Sequence, residues 1–295
     1  MTLIKEEIIP KWVINGNYEI SLDKFYTNDD IAYHCIEVMK KIIPNWNDYQ
    51  FVEPSAGNGS FLKHLPENTI AIDIMPESNN IIKMDYFDWQ PENDKKYITI
   101  GNPPFGIRGW YALEFINKAA KYSDYVCFIL PMYFASEGKG SAKYRVKGLD
   151  LIYSEELSSS IFHTPENENV DLNTVFQIWK KGNNKKYIEP KLNMVEIYTV
   201  CTYPKRRCGL DKLNEYDCFL SSTYYGNYIG VTTSFDEVKY GSGYGIIIKD
   251  KSKKDEIINF LMNTNWDEYN INATNKCKHI GKKHIKDRLL KGGYN

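Results

Sequence analysis

The chain has 295 residues, of which 42% are hydrophobic and 25% are charged, a composition typical of globular domains. No run of eighteen apolar residues is present, which excludes a transmembrane helix, and the charged segment Met1–Pro10 does not resemble a secretory signal. The six cysteines form no CxxC pair, so we predict reduced thiols, no metal site and a cytoplasmic location.

The net charge is only −1, but it is distributed unevenly along the chain. Residues 1–100 carry a net charge of −7, whereas residues 180–295 hold 21 Lys/Arg and 13 Asp/Glu, a net charge of +8. Such asymmetry indicates contact between the basic part and a polyanion. On charge alone, a basic surface exposed to solvent and without a partner remains an equal alternative.

The predicted elements alternate between helices and buried strands. In chain order, the pattern predicts a helix over 31–43, a strand ending at Glu53, a helix starting at Phe61, strands over 69–74 and 97–101, a helix over 110–120, and strands over 125–130 and 174–179. Strands that are apolar almost throughout predict an α/β fold with a mostly parallel sheet covered on both faces. Binding residues collect at the carboxyl ends of such strands, where Glu53, Asp73 and Asn102 lie.

The composition of the sequence changes at Lys180–Lys186, a polar and basic segment typical of a linker. The residues that follow are rich in Tyr, Asn, Lys and Gly and lack the alternation of strand and helix. We therefore divide the chain into two predicted domains, 1–180 and 181–295.

Three acidic positions fit the recognition of a nucleoside joined to an amino acid. Glu53 opens a Gly-rich turn, Glu53–Phe61, in which glycines permit close approach of the backbone to a ligand and no P-loop lysine is present. Its carboxylate suits an ammonium group. Asp73 ends the next strand and suits the hydroxyls of a ribose. Asp85, followed by Tyr86, suits an adenine amino group; each acid alone is also compatible with an ordinary surface position.

The tetrapeptide Asn102-Pro103-Pro104-Phe105 follows the strand over 97–101. Two prolines remove two N–H donors, so the Asn102 side-chain oxygen and the Pro103 carbonyl remain as acceptors. Two acceptors that hold both hydrogens of a conjugated amine favour tetrahedral geometry at its nitrogen and free its lone pair. Phe105 offers a face on which a base can stack, worth roughly 1–3 kcal/mol per base.

Together these motifs resemble the amino-group DNA methyltransferases, specifically the adenine-N6 kind. The family's [DNS]-P-P-[YFW] motif matches Asn102–Phe105, its Gly-rich motif matches Glu53–Gly59, and the acids of its second and third motifs match Asp73 and Asp85. Its motif ten, Phe-x-Thr before the first helix, matches Phe25–Thr27.

The order of these motifs is that of the gamma type. Motif ten comes first, the Gly-rich motif second and the NPPF motif third, with only 42 residues between Gly59 and Asn102. That interval is too short for a recognition domain, so the resemblance implies a target-recognition region after the catalytic domain. It also implies the class I, Rossmann-like sheet of S-adenosylmethionine methyltransferases.

The resemblance implies S-adenosylmethionine as the cofactor and assigns the site residue by residue. The cofactor would be bound by Thr27, Glu53, Ala56 and Gly57 around its methionine part, by Asp73 at the ribose, and by Ile74, Asp85 and Tyr86 at the adenine. Gly59, in the same Gly-rich motif, is also assigned to cofactor binding. Asn102 and Pro103 would hold the target amine, with Pro104 in the same catalytic motif, and Phe105 would stack on the extruded base. A second aromatic residue stacks on that base in the family; we assign Phe162, with Phe176 as the competing choice.

The basic C-terminal part matches no motif of the family. Residues that suit contact with DNA phosphates are Lys205, Arg206, Arg207, Lys282 and Lys283. The expected partner is double-stranded DNA, a cognate restriction endonuclease is a candidate partner, and we expect a monomer. The expected setting is a restriction-modification or viral system.

The resulting hypothesis is a DNA adenine-N6 methyltransferase that flips its target base and transfers the methyl group directly. An RNA adenine-N6 methyltransferase would share the NPPF motif. A protein glutamine-N5 methyltransferase would bind the same planar amino group. A nucleic-acid-binding protein with an inactive methyltransferase core is the alternative from a different class.

Overall fold

The computed structural model describes residues 25–157, 161–164, 167–224, 230–234, 236, 241–269, 271–274 and 277–295. The chain divides into two compact units. The first contains the described residues up to Ala135 together with Ser141–Lys186, and the second contains Ser136–Gly140 and the described residues from Tyr187 onward. No helix among the described residues has the length and apolar character needed to cross a bilayer.

A seven-stranded sheet forms the centre of the first unit. In chain order its strands are β1 (Gln50–Glu53), β2 (Ile70–Asp73), β3 (Ile82–Lys83), β4 (Tyr97–Gly101), β5 (Tyr125–Pro131), β6 (Leu149–Leu157) and β7 (Thr174–Lys181). Their spatial order is 3-2-1-4-5-7-6. Strands β1–β5 are parallel, and β7 is antiparallel to both of its neighbours, β5 and β6. The order 3-2-1-4-5 is that of a doubly wound Rossmann sheet, so the predicted α/β class with a mostly parallel sheet is confirmed.

The central strands are buried because helices cover the sheet. All five residues of β4 are buried, as are the first six of β5 and of β7. Helix α1 (Asp29–Ile42) packs its face Ala32, Cys35, Ile36 and Met39 into the main core of the sheet. Its acidic first turn and basic last turn complement the helix dipole. Helix α2 (Trp110–Ala119) follows β4 and carries a second apolar face.

The helix predicted to start at Phe61 is replaced by a single 3-10 turn, Leu62–His64. The cause is local. Gly59 has a φ of +82° before the turn, and Leu65 is held extended (φ −97°, ψ 162°) immediately before Pro66. A residue before proline disfavours the helical region, so helical conformation ends after one turn.

A ribbon of three short antiparallel strands belongs to the same unit. It consists of Tyr26–Thr27, Phe162–His163 and Asn169–Val170. Tyr26 lies opposite His163 and Thr27 lies opposite Phe162. The ribbon therefore brings the start of the described chain next to a segment far from it in sequence.

The second unit has an antiparallel sheet with two helices. Its strands are β8 (Val195–Cys201), β9 (Cys218–Ser221), β10 (Val231–Thr232) and β11 (Ser242–Ile248), in the order 8-11-9-10. Helices α3 (Lys254–Met262) and α4 (Lys282–Lys291) bury Ile257, Leu261, Ile285 and Leu289 against this sheet. The short strands Thr223–Tyr224, Ile271–Thr274 and Cys277–His279 form a further antiparallel sheet.

The carboxylate of Asp217 links the start of α3 to the antiparallel sheet of the second unit. Its side chain is 6% exposed and pairs with Lys251 at 2.7 Å and Lys254 at 3.0 Å, while the backbone N–H of Ile248 donates to it at 2.7 Å. Although burial opposes ionisation, these bonds hold the pKa of Asp217 below its usual value. Two lysines of the basic segment therefore have a structural role.

Candidate active site

A cavity of about 320 Å³ opens at the carboxyl ends of β1, β2 and β4 in the first unit. The predicted site residues that line it are Thr27, Glu53, Ala56, Gly57, Asp73, Ile74, Asp85, Tyr86, Asn102, Pro103, Pro104, Phe105 and Phe162. Gly59 is not part of the lining and is buried within the Gly-rich turn. The loops meet here because parallel strands end at one edge of the sheet, and the ribbon adds Thr27 and Phe162.

The Gly-rich turn and the loop after β2 are joined through Asp73. The backbone N–H of Gly57 donates to one carboxylate oxygen of Asp73 at 2.7 Å, and that of Met75 donates to the other at 2.7 Å. Gly57 has a φ of +54°, which brings its N–H into this position. A carboxylate oxygen accepts two hydrogen bonds, so each oxygen of Asp73 retains one lone pair for a ligand hydroxyl.

Glu53 supplies a buried carboxyl group with an unpaired oxygen. The residue is 2% exposed, and its Oε2 has no hydrogen-bond partner among the described residues. Burial raises the pKa of Glu53 well above its ordinary value, and the nearby charge of Asp73 raises it further. Such a group is stabilised by a cation bound beside it.

The NPPF loop presents a buried, unpaired acceptor at the cavity. Asn102 Oδ1 has no hydrogen-bond partner among the described residues, while the Asn102 backbone carbonyl accepts from Ser55 Oγ at 3.0 Å. The carbonyl of Phe105 accepts from the N–H groups of Tyr111 at 3.1 Å and Ala112 at 3.3 Å, which braces the loop on α2. The backbone of the loop is therefore anchored at both ends, and the Asn102 side chain is left for a ligand.

Two aromatic rings of the cavity lining contact each other. The rings of Phe105 and Phe162 have centroids 6.2 Å apart and planes inclined by 79°, an edge-to-face pair. The ribbon places Phe162 opposite Thr27, at the cavity. Phe176, the competing aromatic residue, lies in the middle of β7 within the main core and does not line the cavity.

Asp85 and Tyr86 reach the cavity from the loop after β3. One carboxylate oxygen of Asp85 accepts from the N–H of Phe87 at 2.8 Å. The Tyr86 hydroxyl bonds to that of Tyr122 at 2.7 Å, and its ring stacks on Phe115 at 5.0 Å. Burial raises the pKa of Tyr86 well above its ordinary value. Tyr86 thus contributes a rigid ring rather than a free hydroxyl.

Five aromatic residues of the cavity lining were not among the predicted site residues: Phe25, Tyr26, Phe61, Tyr111 and Phe115. Tyr26 occupies the variable position of the Phe-x-Thr motif, and its hydroxyl donates to Glu77. Tyr111 and Phe115 are four residues apart on α2, a spacing typical of a helix face packed in a core. Their position shortly after the NPPF loop is the one sequence signal that points to them.

The basic residues of the second unit differ in their availability. Lys205, Arg206 and Arg207 lie in an exposed turn, which we call the basic tip; the backbones of Cys201 and Cys208 close it with reciprocal bonds of 3.0 and 3.1 Å. Within the described parts of the chain these three residues form no ion pair. By contrast, Lys283 pairs with Asp287 and with Glu137, and Lys282 is partly buried, which lowers its pKa.

No protein-family model matches the sequence, and no curated protein matches it. Among solved structures, the chain is similar to a protein from Pyrococcus horikoshii provisionally described as an RNA methyltransferase (TM-score 0.40, 15% identity, 56% of this chain and 91% of that one). It is also similar to the 23S rRNA methyltransferase ErmE (TM-score 0.41, 13% identity, 56% and 72%). A third similar structure is the methyltransferase subunit of a type I restriction-modification system from Streptococcus thermophilus (TM-score 0.40, 12% identity, 97% and 61%). At these identities the likeness concerns the fold, so the interpretation of the site depends on its own geometry.

Proposed function

We propose that this chain is an S-adenosylmethionine-dependent methyltransferase that acts on the exocyclic N6 amine of adenine in double-stranded DNA. The observation that carries the proposal is the buried, unpaired Oδ1 of Asn102 in a cavity that also holds a pair of aromatic rings. A buried acceptor without a donor is costly to the fold, and a bound amine removes that cost.

The acidic residues of the cavity fit the cofactor. The unpaired Oε2 of Glu53 suits the positive charge of the methionine part, and Asp73 retains lone pairs for the ribose hydroxyls. Asp85 bonds one backbone N–H and keeps its second oxygen for the adenine amino group. When bound, S-adenosylmethionine supplies an electrophilic methyl group.

The NPPF loop orients the target amine. Asn102 Oδ1 and the Pro103 carbonyl accept its two hydrogens, which favours pyramidal nitrogen and directs the lone pair toward the methyl group. Phe105 supports the base, and Phe162 contacts it from the side. The base reaches this cavity only when it leaves the duplex, at a cost of a few kcal/mol. Positioning and electrostatic preorganisation therefore supply the catalysis without a covalent enzyme intermediate.

The choice of nucleic acid as substrate is supported by the basic tip. Lys205, Arg206 and Arg207 offer three exposed positive charges without acidic partners in the described residues, which suits phosphate contact. A protein glutamine would not require them. We extend the proposal to a monomer of a restriction-modification or viral system, with double-stranded DNA as partner and a cognate endonuclease as the candidate second component.

A methyl-transfer assay tests this function. Radiolabelled S-adenosylmethionine is incubated with the protein and, in parallel, with unmethylated genomic DNA, total RNA or a glutamine-containing protein extract. Label in N6-methyladenine of DNA is expected. Label confined to RNA would establish the RNA adenine-N6 alternative, and label confined to protein would establish glutamine methylation.

Replacement of Asn102 by Ala assigns the activity to this site. We expect turnover to fall by about 100-fold or more, because the variant lacks an acceptor that acts on the reacting amine. Binding of S-adenosylhomocysteine, measured by calorimetry, should change by less than about twofold. Wild-type turnover in the Asn102→Ala variant would contradict the proposal.

A further inference from the structure

Tyr111 carries a hydroxyl group that the fold does not use. The residue is 6% exposed and lines the cavity. Its hydroxyl is not one of the buried unpaired polar atoms, and it forms no hydrogen bond with the described residues. A phenol hydroxyl that the protein itself leaves unbonded, on a residue that lines a ligand cavity, is a candidate to bind the ligand.

The ring of Tyr111 is held on several sides, so the hydroxyl cannot turn away. It stacks on Trp110 (4.9 Å, 28°) and on Phe87 (6.1 Å, 12°). The edge of Phe115 meets it at 5.2 Å and 89°. Its backbone N–H bonds to the carbonyl of Phe105 at 3.1 Å, which ties Tyr111 to the NPPF loop. The position of the hydroxyl is thus set before any ligand binds.

The neighbour that matters chemically is Asp85. Burial and the charge of Asp85 both raise the pKa of Tyr111, so the phenol stays protonated and acts as a donor at physiological pH. Asp85 is the complementary acceptor, because one of its oxygens bonds Phe87 N–H and the other has no bond within the described residues. A protonated phenol and a carboxylate in one cavity present one donor and one acceptor.

That pair matches the hydrogen-bonding pattern of adenine. Adenine offers an amino group, which is a donor, and ring nitrogens, which are acceptors. Tyr111 also contacts Phe87 and Phe115, the rings that pack against the Asp85-Tyr86 segment. Its hydroxyl therefore belongs with the adenine of the cofactor rather than with the target base.

We infer that the Tyr111 hydroxyl donates a hydrogen bond to a ring nitrogen of the cofactor's adenine, and so serves with Asp85 as a specificity-determining residue for the cofactor. The inference rests on the proposed function, since it assumes S-adenosylmethionine as the ligand. Tyr111 itself lies outside every motif of the methyltransferase resemblance.

Atom-replacement analogues test the bond directly. Dissociation constants are measured by calorimetry for the wild type and Tyr111→Phe with S-adenosylhomocysteine and with its 1-deaza, 3-deaza and 7-deaza adenine analogues. Tyr111→Phe is expected to weaken the binding of S-adenosylhomocysteine by about fivefold, the net effect of one neutral hydrogen bond. The wild type and Tyr111→Phe should have equal affinities for one of the three analogues, the one in which carbon replaces the ring nitrogen that accepts the bond.

A matched control is Tyr153→Phe, which removes a hydroxyl that bonds Glu155 at 2.9 Å on β6, outside the cavity. This variant should bind every ligand as the wild type does. The stacked ring is preserved in Tyr111→Phe, and circular dichroism with a thermal melt verifies its fold.

The outcomes separate this inference from the proposed function. Equal affinity of wild type and Tyr111→Phe for S-adenosylhomocysteine overturns the inference alone. The inference is also overturned if Tyr111→Phe binds all three analogues more weakly than the wild type does by the same factor as S-adenosylhomocysteine. The loss of affinity would then come from packing and not from a hydrogen bond to a ring nitrogen. A wild-type protein that does not bind S-adenosylhomocysteine contradicts the proposed function and the inference with it.

Discussion

Among single residues, Glu53 combines burial with a ligand-facing position. Water cannot stabilise its charge, so its pKa is raised, mainly by burial and further by Asp73. A carboxyl group whose pKa is higher in the folded than in the unfolded protein makes the folded state less stable as pH rises through that interval. The ionised form that a cationic ligand needs is therefore the form that the empty fold disfavours.

The affinity of S-adenosylhomocysteine is accordingly expected to increase with pH. Below the raised pKa of Glu53, binding of the ligand's ammonium group must expel a proton, so affinity rises by up to about tenfold per pH unit and levels off above that pKa. Calorimetry in two buffers of different ionisation enthalpy measures the released proton directly.

The variant Glu53→Gln serves as the control for this pH dependence. It should release no proton at this site and should show a flatter pH profile with weaker binding. It should also be more stable than the wild type at alkaline pH, because a buried charge is removed. A wild-type affinity that does not vary with pH would show that Glu53 is not the counter-charge.

Among the structural elements, the turn after β1 depends on a left-handed backbone at Gly57. A Cβ at this position would lie 3.2 Å from the ring of Tyr26, and the φ of +54° is unfavourable for other residues. The same residue donates its N–H to Asp73. The backbone conformation of the turn, its packing against Tyr26 and the orientation of Asp73 therefore all depend on Gly57.

The substitutions Gly57→Ala and Gly148→Ala separate these contributions. Gly148 has a similar φ of +69°, but a Cβ there meets no atom within 4 Å. Both variants should lose about 1–2 kcal/mol of unfolding free energy in denaturant titrations from backbone strain. Only Gly57→Ala should also weaken the binding of S-adenosylhomocysteine, because the added methyl group displaces Tyr26 and disturbs the hydrogen bond from residue 57 to Asp73. Equal binding by the two variants would show that the turn tolerates the displacement.

For the molecule as a whole, the net charge is only −1, although residues 180–295 carry a net charge of +8. The described residues of this part of the chain include lysines that pair within the fold, such as Lys251, Lys283 and Lys286, and exposed basic residues without an ion pair, among them the basic tip, Lys185 and Lys186. Charges without an intramolecular partner can displace counterions from a nucleic acid at little structural cost. The basic tip is therefore expected to contribute to the electrostatic part of binding.

Salt dependence of DNA binding measures this division. A plot of the logarithm of the DNA-binding constant against the logarithm of the salt concentration has a negative slope. Replacement of Arg206 or Arg207 by Ala should make that slope shallower by about 0.9 for each phosphate that is no longer neutralised. Lys95→Ala removes an exposed charge of the first unit that pairs with Glu92, and should leave the slope unchanged. Equal slopes for the tip variants and the control would refute a role of the basic tip in phosphate binding.

Local sequence is sufficient to locate the buried strands and the acids and amides that follow them. Apolar runs, Gly-rich turns and prolines act through local conformation, so the positions of Glu53, Asp73 and the NPPF loop at strand ends follow from the residues alone. A local rule also accounts for the one wrong helix, because Pro66 ends it after a single turn.

Packing alone selects which of several similar side chains reach the cavity. Phe162 and Phe176 are both fully buried, yet the ribbon carries the first to the cavity and β7 keeps the second in the core. Tyr111 has the spacing of an ordinary core residue, and its contact with Phe87 reveals its place in the cavity. Lys283 has the charge of a phosphate ligand, but it pairs with Glu137. Such contacts join residues far apart in the chain, so local propensity does not specify them.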